Sequence, residues 1–163
     1  MQEISIRMAT LADDAALTDV DQQTWSASTA PTDRWPADQP FFTQSAGPEL
    51  VVVADVDGIA IGYSRLEPVF PVQSARHVLG INGFAVHPRW QGRGVAGRLL
   101  SATIELARDH GARKLTLRVL ASNPGAVHVY RRAGFVEEGR LTGLFLLEGR
   151  YVDDLLMSLD LSV

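Results

Sequence analysis

The chain has 163 residues, 46% of them hydrophobic, with 15 Lys and Arg against 19 Asp and Glu and a formal net charge of -4. That length supports one domain with a substantial core and is short for two, and the acidic balance argues against a general nucleic-acid binder, which presents a basic face. The absence of cysteine excludes disulfides, thiolate metal sites and a cysteine nucleophile, so any thiol chemistry must arrive with a ligand. The stretch Met1 to Arg7 lacks the charged-then-apolar layout of a signal peptide, and no apolar run approaches a membrane span. A single domain over residues 1–163, cytoplasmic and with neither membrane nor nucleic-acid partner, is expected.

Ile4 to Arg7 alternates like a strand, and Thr10-Leu11-Ala12-Asp13 reads as a helix N-cap with an acidic first turn. That helix is expected to run to about Gln23 with Leu11, Ala15 and Val20 inward. From Ser26 to Pro48 the composition turns to Ser, Thr, Pro and Asp with scattered aromatics, a loop-rich segment with room for one short helix. Leu50 to Val56, then Asp57-Gly58, then Ile59 to Tyr63 predict a hairpin, because Asp-Gly suits a tight primed turn. His77 to Val86 is a strand ended by Pro88. Between Val95 and His110 the apolar residues Val95, Leu99, Leu100, Thr103, Ile104, Leu106 and Ala107 form one helical face, and Gly111 stops it. Lys114 to Leu120 returns to strand alternation, Pro124 to Ala133 is helical, and Phe135 opens another strand after Gly134. Leu144 to Leu147 and Tyr151 to Leu159, joined by Glu148-Gly149-Arg150, predict a closing hairpin. With no repeat and no linker, the order suggests an α/β (α+β) chain built on one mixed sheet.

The most informative stretch is Phe84-Ala85-Val86-His87-Pro88-Arg89-Trp90-Gln91-Gly92-Arg93-Gly94-Val95-Ala96-Gly97-Arg98. It reads as a strand, a glycine-rich loop and the start of a helix. The first amides of a helix lack intrahelical partners and lie at the positive end of its dipole, so the unit can cradle an anion. Gly92, Gly94 and Gly97 let the backbone approach a bulky group, and Arg89, Arg93 and Arg98 make the loop locally basic. A nucleotide-hydrolase loop would need Lys-Ser or Lys-Thr where Arg98-Leu99 stands. A dinucleotide site would follow the first strand of a parallel unit rather than a hairpin. A tight structural turn without a ligand is the remaining alternative.

Gln91-Gly92-Arg93-Gly94-Val95-Ala96 resembles the pyrophosphate loop of the GNAT N-acetyltransferase superfamily, Gln/Arg-x-x-Gly-x-Gly/Ala. Asn123-Pro124-Gly125-Ala126-Val127-His128-Val129-Tyr130-Arg131-Arg132-Ala133-Gly134-Phe135 is similar to the second segment of the same family, Asn-x-x-Ala-x-x-x-Tyr-x-x-x-Gly-Phe. The specific resemblance covers about Gly80 to Val136. It implies the GNAT-type acyl-CoA N-acyltransferase fold, a single mixed, mostly antiparallel sheet of six to seven strands flanked by about four helices. It further implies acetyl-CoA as co-substrate, no metal, and cofactor-binding positions at Phe84, Ala85, Val86, Gln91, Gly92, Arg93, Gly94, Val95, Ala96, Gly97, Asn123 and Tyr130. In such proteins the strand before the loop and the next strand splay apart, and the backbone of Phe84 to Val86 would pair with the pantetheine arm as an added strand.

The implied activity is N-acetylation of a primary amine by direct attack in a ternary complex. An alkyl ammonium with a pKa near about 10 must lose a proton before it attacks a thioester, and the leaving thiolate gains from a nearby acid. Tyr130 is the candidate acid, and a backbone N–H near Val86 is placed to stabilise the carbonyl oxygen. No catalytic base is named. Arg118 and Asn82 stand where some relatives carry acids, and Glu67, His77, Glu137 and Asp153 each suit solvated or structural roles. His87 at a strand end and His110 at a helix end need only structural roles, and the four histidines lack paired metal-ligand spacing. Asn123 also fits a helix N-cap before Pro124. Trp25, Trp35, Phe41, Phe42 and Phe70 suit either the core or an acceptor pocket. The acceptor, whether small amine, amino acid, amine-bearing antibiotic or peptide amine, stays open, as does a homodimer. A non-catalytic acyl-CoA sensor and a structural or interaction module with an empty loop are the alternative readings.

Overall fold

Val51-Val52-Val53-Ala54-Asp55-Val56 is buried at every position, which a strand achieves only when both faces of its sheet are covered. The computed structural model, which describes residues 2–162 and leaves Met1 and Val163 outside, shows what covers them. In chain order the elements are β1 (Ser5–Met8), α1 (Asp14–Thr24), β2 (Val51–Val56), β3 (Ile59–Pro68), β4 (Val78–Val86), α2 (Val95–Asp109), β5 (Lys114–Leu120), α3 (Pro124–Arg132), β6 (Val136–Leu147) and β7 (Arg150–Asp160). The strands form one seven-stranded sheet in the order β1-β2-β3-β4-β5-β7-β6. Every pairing is antiparallel except β4 with β5.

Alternation sorts the side chains. Val51, Val53 and Tyr63 pack with Leu17 and Val20 of α1 on one face, while Val52, Ala54, Ile61 and Val86 pack with Val95 and Leu99 of α2 on the other. A further core joins Leu115, Leu117 and Val119 of β5 to Leu100, Val127 and Tyr130. The predicted Asp57-Gly58 turn forms with φ of 52° and 83°, the signature of the primed hairpin turn, and Glu148-Gly149 closes β6 and β7 in the same way.

Two expectations are corrected. Leu11 and Ala15 do not point inward: Leu11 is 70% exposed and Ala15 is exposed as well. A separate 3-10 turn spans Leu11–Asp13, so α1 begins at Asp14 with Leu17, Thr18 and Val20 inward. The Asp13 carboxylate, gripped by Arg7 at 2.8 Å, sets that break. The loop-rich segment holds no α-helix, but turns, an isolated Thr43–Ala46 bridge and, from Pro48, the start of a 3-10 turn, so among the described residues three α-helices flank the sheet.

The feature that makes room for a site lies in β4. Its parallel pairing with β5 runs from Val78–Lys114 to Ile81–Leu117 and stops. Beyond that point β4 continues with β3 alone, and β5 with β7 alone. At the same place the register with β3 jumps from Leu66–Ile81 to Ser64–Phe84. Asn82 and Gly83 therefore oppose one residue, Arg65, which is a β-bulge. Gly83 adopts a φ of 129°, and a Cβ there would lie 3.0 Å from the Tyr63 ring. The bulge bends β4 away from β5, and the sheet opens into a gap.

Candidate active site

A cleft of about 1060 Å³ fills that gap, lined by the end of β4, the loop before α2, one face of α3 and the end of α1. Its β4 wall offers unpaired backbone. The His87 N–H donates to the Ile61 carbonyl at 2.8 Å, and Tyr63 stands opposite Ala85 in the same register. Antiparallel alternation then commits the backbone groups of Ala85 to β3 and turns those of Phe84 and Val86 toward the gap.

The loop closes onto this edge. The Gln91 side chain donates from Nε2 to the Val86 carbonyl at 2.9 Å. Gly92 and Gly94 take φ of 72° and 78°, and Gly94 is the N-cap of α2 in the left-handed conformation. Arg98 makes the helical bond back to Gly94, so the amides of Val95, Ala96 and Gly97 precede the regular ladder and remain free for an anion. The first turn of α2 contains no acidic residue. Convergent amides with two wide-open glycines suit a diphosphate. Arg93 differs from its neighbours: its guanidinium lies over the Trp90 ring, 5.1 Å from the centroid, and its side chain is not part of the cleft wall.

On the α2 and α3 side, Tyr130 is 7% exposed and packs edge-on against Phe84 at 5.8 Å and at a tilt against Phe135 at 5.9 Å. Burial pushes its phenol up to about 12, so the hydroxyl stays protonated near neutrality and able to donate. Asn123 uses its Oδ1 to cap α3, accepting from the Ala126 N–H at 3.2 Å. Capping leaves its NH2 group as a donor, and Asn123 lines the cleft.

The opposite side of the cleft holds a pair that sequence reasoning missed. The Tyr63 hydroxyl donates to Asp21 Oδ1 at 2.5 Å, and both residues line the cleft. Burial raises the Asp21 carboxyl above its ordinary value, although the Tyr63 hydrogen bond and the Arg65 charge act in the other direction. Trp25 and the Thr29-Ala30-Pro31 segment complete this wall, and the Ser122 hydroxyl donates to the Ser28 carbonyl at 3.3 Å, holding the segment after α1 near the start of α3. Of the other aromatics, Phe41 and Phe42 are buried against Tyr63, whereas Trp35 and Phe70 are 45% and 61% exposed and outside the cleft wall.

The acids and bases considered from sequence lie elsewhere. Asp153 and Glu137 both receive Arg140, Arg118 pairs with buried Asp154, and Glu67 and Asn82 are exposed and outside the cleft wall. His77 belongs to a small depression with Arg113 and Lys114. Among the described residues no group of three or more His, Asp or Glu is arranged to hold a metal ion, and no helix is long and apolar enough to cross a membrane.

A family model described as the acetyltransferase (GNAT) family matches residues 15–135, from α1 through α3 to Phe135. The chain is a GNAT-family acetyltransferase. This GNAT chain is 28% identical to the L-amino acid N-acyltransferase MnaT of Escherichia coli K12, over 97% of its own length and 94% of that protein. It is 34% identical to the L-amino acid N-acetyltransferase AaaT of the same organism over 72% of this chain and 67% of that one. Its fold superposes on yncA of Salmonella typhimurium, solved with its cofactor acetyl-CoA, with a TM-score of 0.81 at 21% identity, covering 98% and 95% of the two chains.

Proposed function

We propose that this protein moves the acetyl group of acetyl-CoA to the primary amine of a small, amino-acid-like acceptor, by direct attack in a ternary complex. The observation that carries the reading is one continuous cleft that joins the free amides of the glycine loop to the outward backbone of Phe84 and Val86 and to Tyr130. Relatives named for L-amino acid acylation support the acceptor class. In this reading residues 1–163 act as a single domain in the cytoplasm. A second copy is the partner we assign to the exposed apolar side chains Leu141, Leu144, Leu146 and Tyr151 of the closing hairpin, which light scattering tests.

The chain's own residues divide the work. Amides from Gly92 to Gly97 hold the diphosphate, the Gln91 N–H being bonded to the Pro88 carbonyl, and Asn123 donates to the pantetheine arm that the outward backbone of Phe84 and Val86 receives as a strand. The outward Val86 N–H meets the thioester oxygen, where negative charge grows during attack. The Tyr130 hydroxyl donates its proton to the departing sulfur. Acetyl-CoA supplies the activated acyl group when bound.

Calorimetric titration with acetyl-CoA, CoA and ATP tests the donor site, and thiol release across a panel of amines tests transfer. Binding of both CoA forms without ATP, followed by amine-dependent thiol release, is the expected result. Binding without release from any amine would return the protein to the sensor reading.

A further inference from the structure

The opened sheet divides the cleft into two halves of opposite electrical character, one on its α2 face and one on its α1 face. Alternation places Phe84 and Val86 on the α2 face with Tyr130 and Val95, and it places Gly83 and Ala85 on the α1 face beside Tyr63. The α2 half receives a helix N-terminus, which favours anions. The α1 half receives a helix C-terminus, Thr24 and Trp25, with no basic residue in that last turn, and its carbonyl end favours cations. Asp21 projects its carboxylate into this same half.

We infer that Asp21, held by Tyr63, receives the acceptor's ammonium group from the α1 side and takes the proton that must leave before attack. This rests on the acetyltransferase reading above. Tyr63 is firmly anchored, being 5% exposed, edge-on to Phe41 at 4.8 Å, and set against Ala85. Glycine at 83, with its φ of 129°, lets the ring lie on β4, since a Cβ there would meet the Tyr63 ring at 3.0 Å. The Tyr63 hydroxyl that holds Asp21 therefore lies beside Gly83, the residue before Phe84, and Asp21 and Tyr130 line the same cleft. The charged neighbours of Asp21 are few. β3 presents Tyr63 and Arg65, β4 presents only Gly83 and Ala85 there, α3 brings His128 and Arg132 to the far wall, and the segment after α1 brings Arg34, whose guanidinium donates to the Gln22 carbonyl at 2.5 Å and lies 5.9 Å from the centroid of the Trp25 ring.

The Arg65 guanidinium is engaged with Phe41, through a hydrogen bond to its carbonyl at 3.1 Å and a position 4.2 Å from its ring centroid. It therefore tempers the carboxylate without neutralising it by a direct ion pair. The raised affinity of Asp21 for protons brings its basicity closer to the working pH, where a general base is most effective.

The proton count closes. An ammonium gives one proton to the Asp21 carboxylate, which passes it to solvent. The neutral nitrogen forms the C–N bond as the carbonyl π pair moves to oxygen; that pair returns as the C–S bond breaks. The sulfur takes the Tyr130 proton, and the second proton lost from nitrogen restores Tyr130. Amide, free thiol and one released proton result.

The test is Asp21→Asn, assayed with the best acceptor among the common L-amino acids and L-methionine sulfone, at pH 7 and pH 10, beside Tyr63→Phe and acetyl-CoA titrations of each variant. We expect unchanged acetyl-CoA affinity and a kcat/KM loss of about 100- to 10,000-fold at pH 7 that shrinks to below about tenfold at pH 10, where the amine arrives neutral. Tyr63→Phe, which keeps the carboxylate, should lose less than Asp21→Asn at pH 7. An equal loss at both pH values, or no loss, overturns the role of Asp21 while leaving the acetyltransferase reading intact. A parent protein that binds acetyl-CoA and acylates nothing in the panel overturns the acceptor reading, and this inference with it.

Discussion

Gln91 and Val86 are joined by a side-chain hydrogen bond of 2.9 Å that ties the first residue of the glycine loop to the last residue of β4. The bond fixes the distance between the two parts of the site that must hold opposite ends of one long ligand. Removing it costs about 1 kcal/mol of ordering. Gln91→Ala should weaken acetyl-CoA binding about fivefold in calorimetry, with little change in melting temperature because Gln91 lies at the exposed rim.

Gly94 caps α2 at a φ of 78°, with nothing within 4 Å of the position a Cβ would take. Space is therefore not the constraint; backbone conformation and charge are. Gly94→Ala should cost about 1–2 kcal/mol of stability through the left-handed penalty alone. Gly94→Glu adds a carboxylate where the diphosphate would sit, and its binding of CoA should fall below detection while the fold survives by circular dichroism.

Tyr130→Phe preserves the packing against Phe84 and Phe135 and removes only the hydroxyl. Turnover should drop about 100- to 10,000-fold, the contribution of one general acid, with acetyl-CoA affinity nearly unchanged. An unaltered rate in steady-state assays would remove Tyr130 from the chemistry.

The same hydroxyl makes a prediction about alkali. Its folded pKa of about 12 stands above the ordinary 10.0, so the folded state holds the proton more tightly. That contribution is fully present below pH 10 and is lost as pH rises from 10 to 12, on the order of 3 kcal/mol in total. Urea midpoints across this window should fall more steeply for the parent than for Tyr130→Phe, with Tyr63, shifted in the same direction, accounting for some of what remains.

Gly83→Ala strains the bulge twice, through a φ of 129° and through a contact of 3.0 Å with the Tyr63 ring. A loss of about 1–3 kcal/mol in chemical unfolding is expected. The displaced Tyr63 should also release Asp21, so turnover should fall while CoA binding at the glycine loop persists.

The glycine loop was legible in the sequence because strand, loop and helix follow one another locally and each carries its own punctuation. The hairpins were legible for the same reason, through Asp57-Gly58 and Glu148-Gly149. Asp21 was not, because its partner Tyr63 lies 42 positions away and a lone carboxylate on a polar helix looks solvated. Gly83 inside an otherwise regular strand was the available signal, since such a glycine often marks a bulge or a close approach. Leu11 misled because the 3-10 turn that Asp13 and Arg7 stabilise holds it ahead of α1, and periodicity alone does not reveal where a helix begins.

The parallel seam between β4 and β5 ends at Ile81 and Leu117, so the place where a ligand enters is also the place where the sheet is least stitched. A molecule that bonds to both lips of the opening supplies the rungs the polypeptide omits. Part of its binding free energy would then be felt as added cohesion between the two half-sheets, so that occupancy and stability rise together.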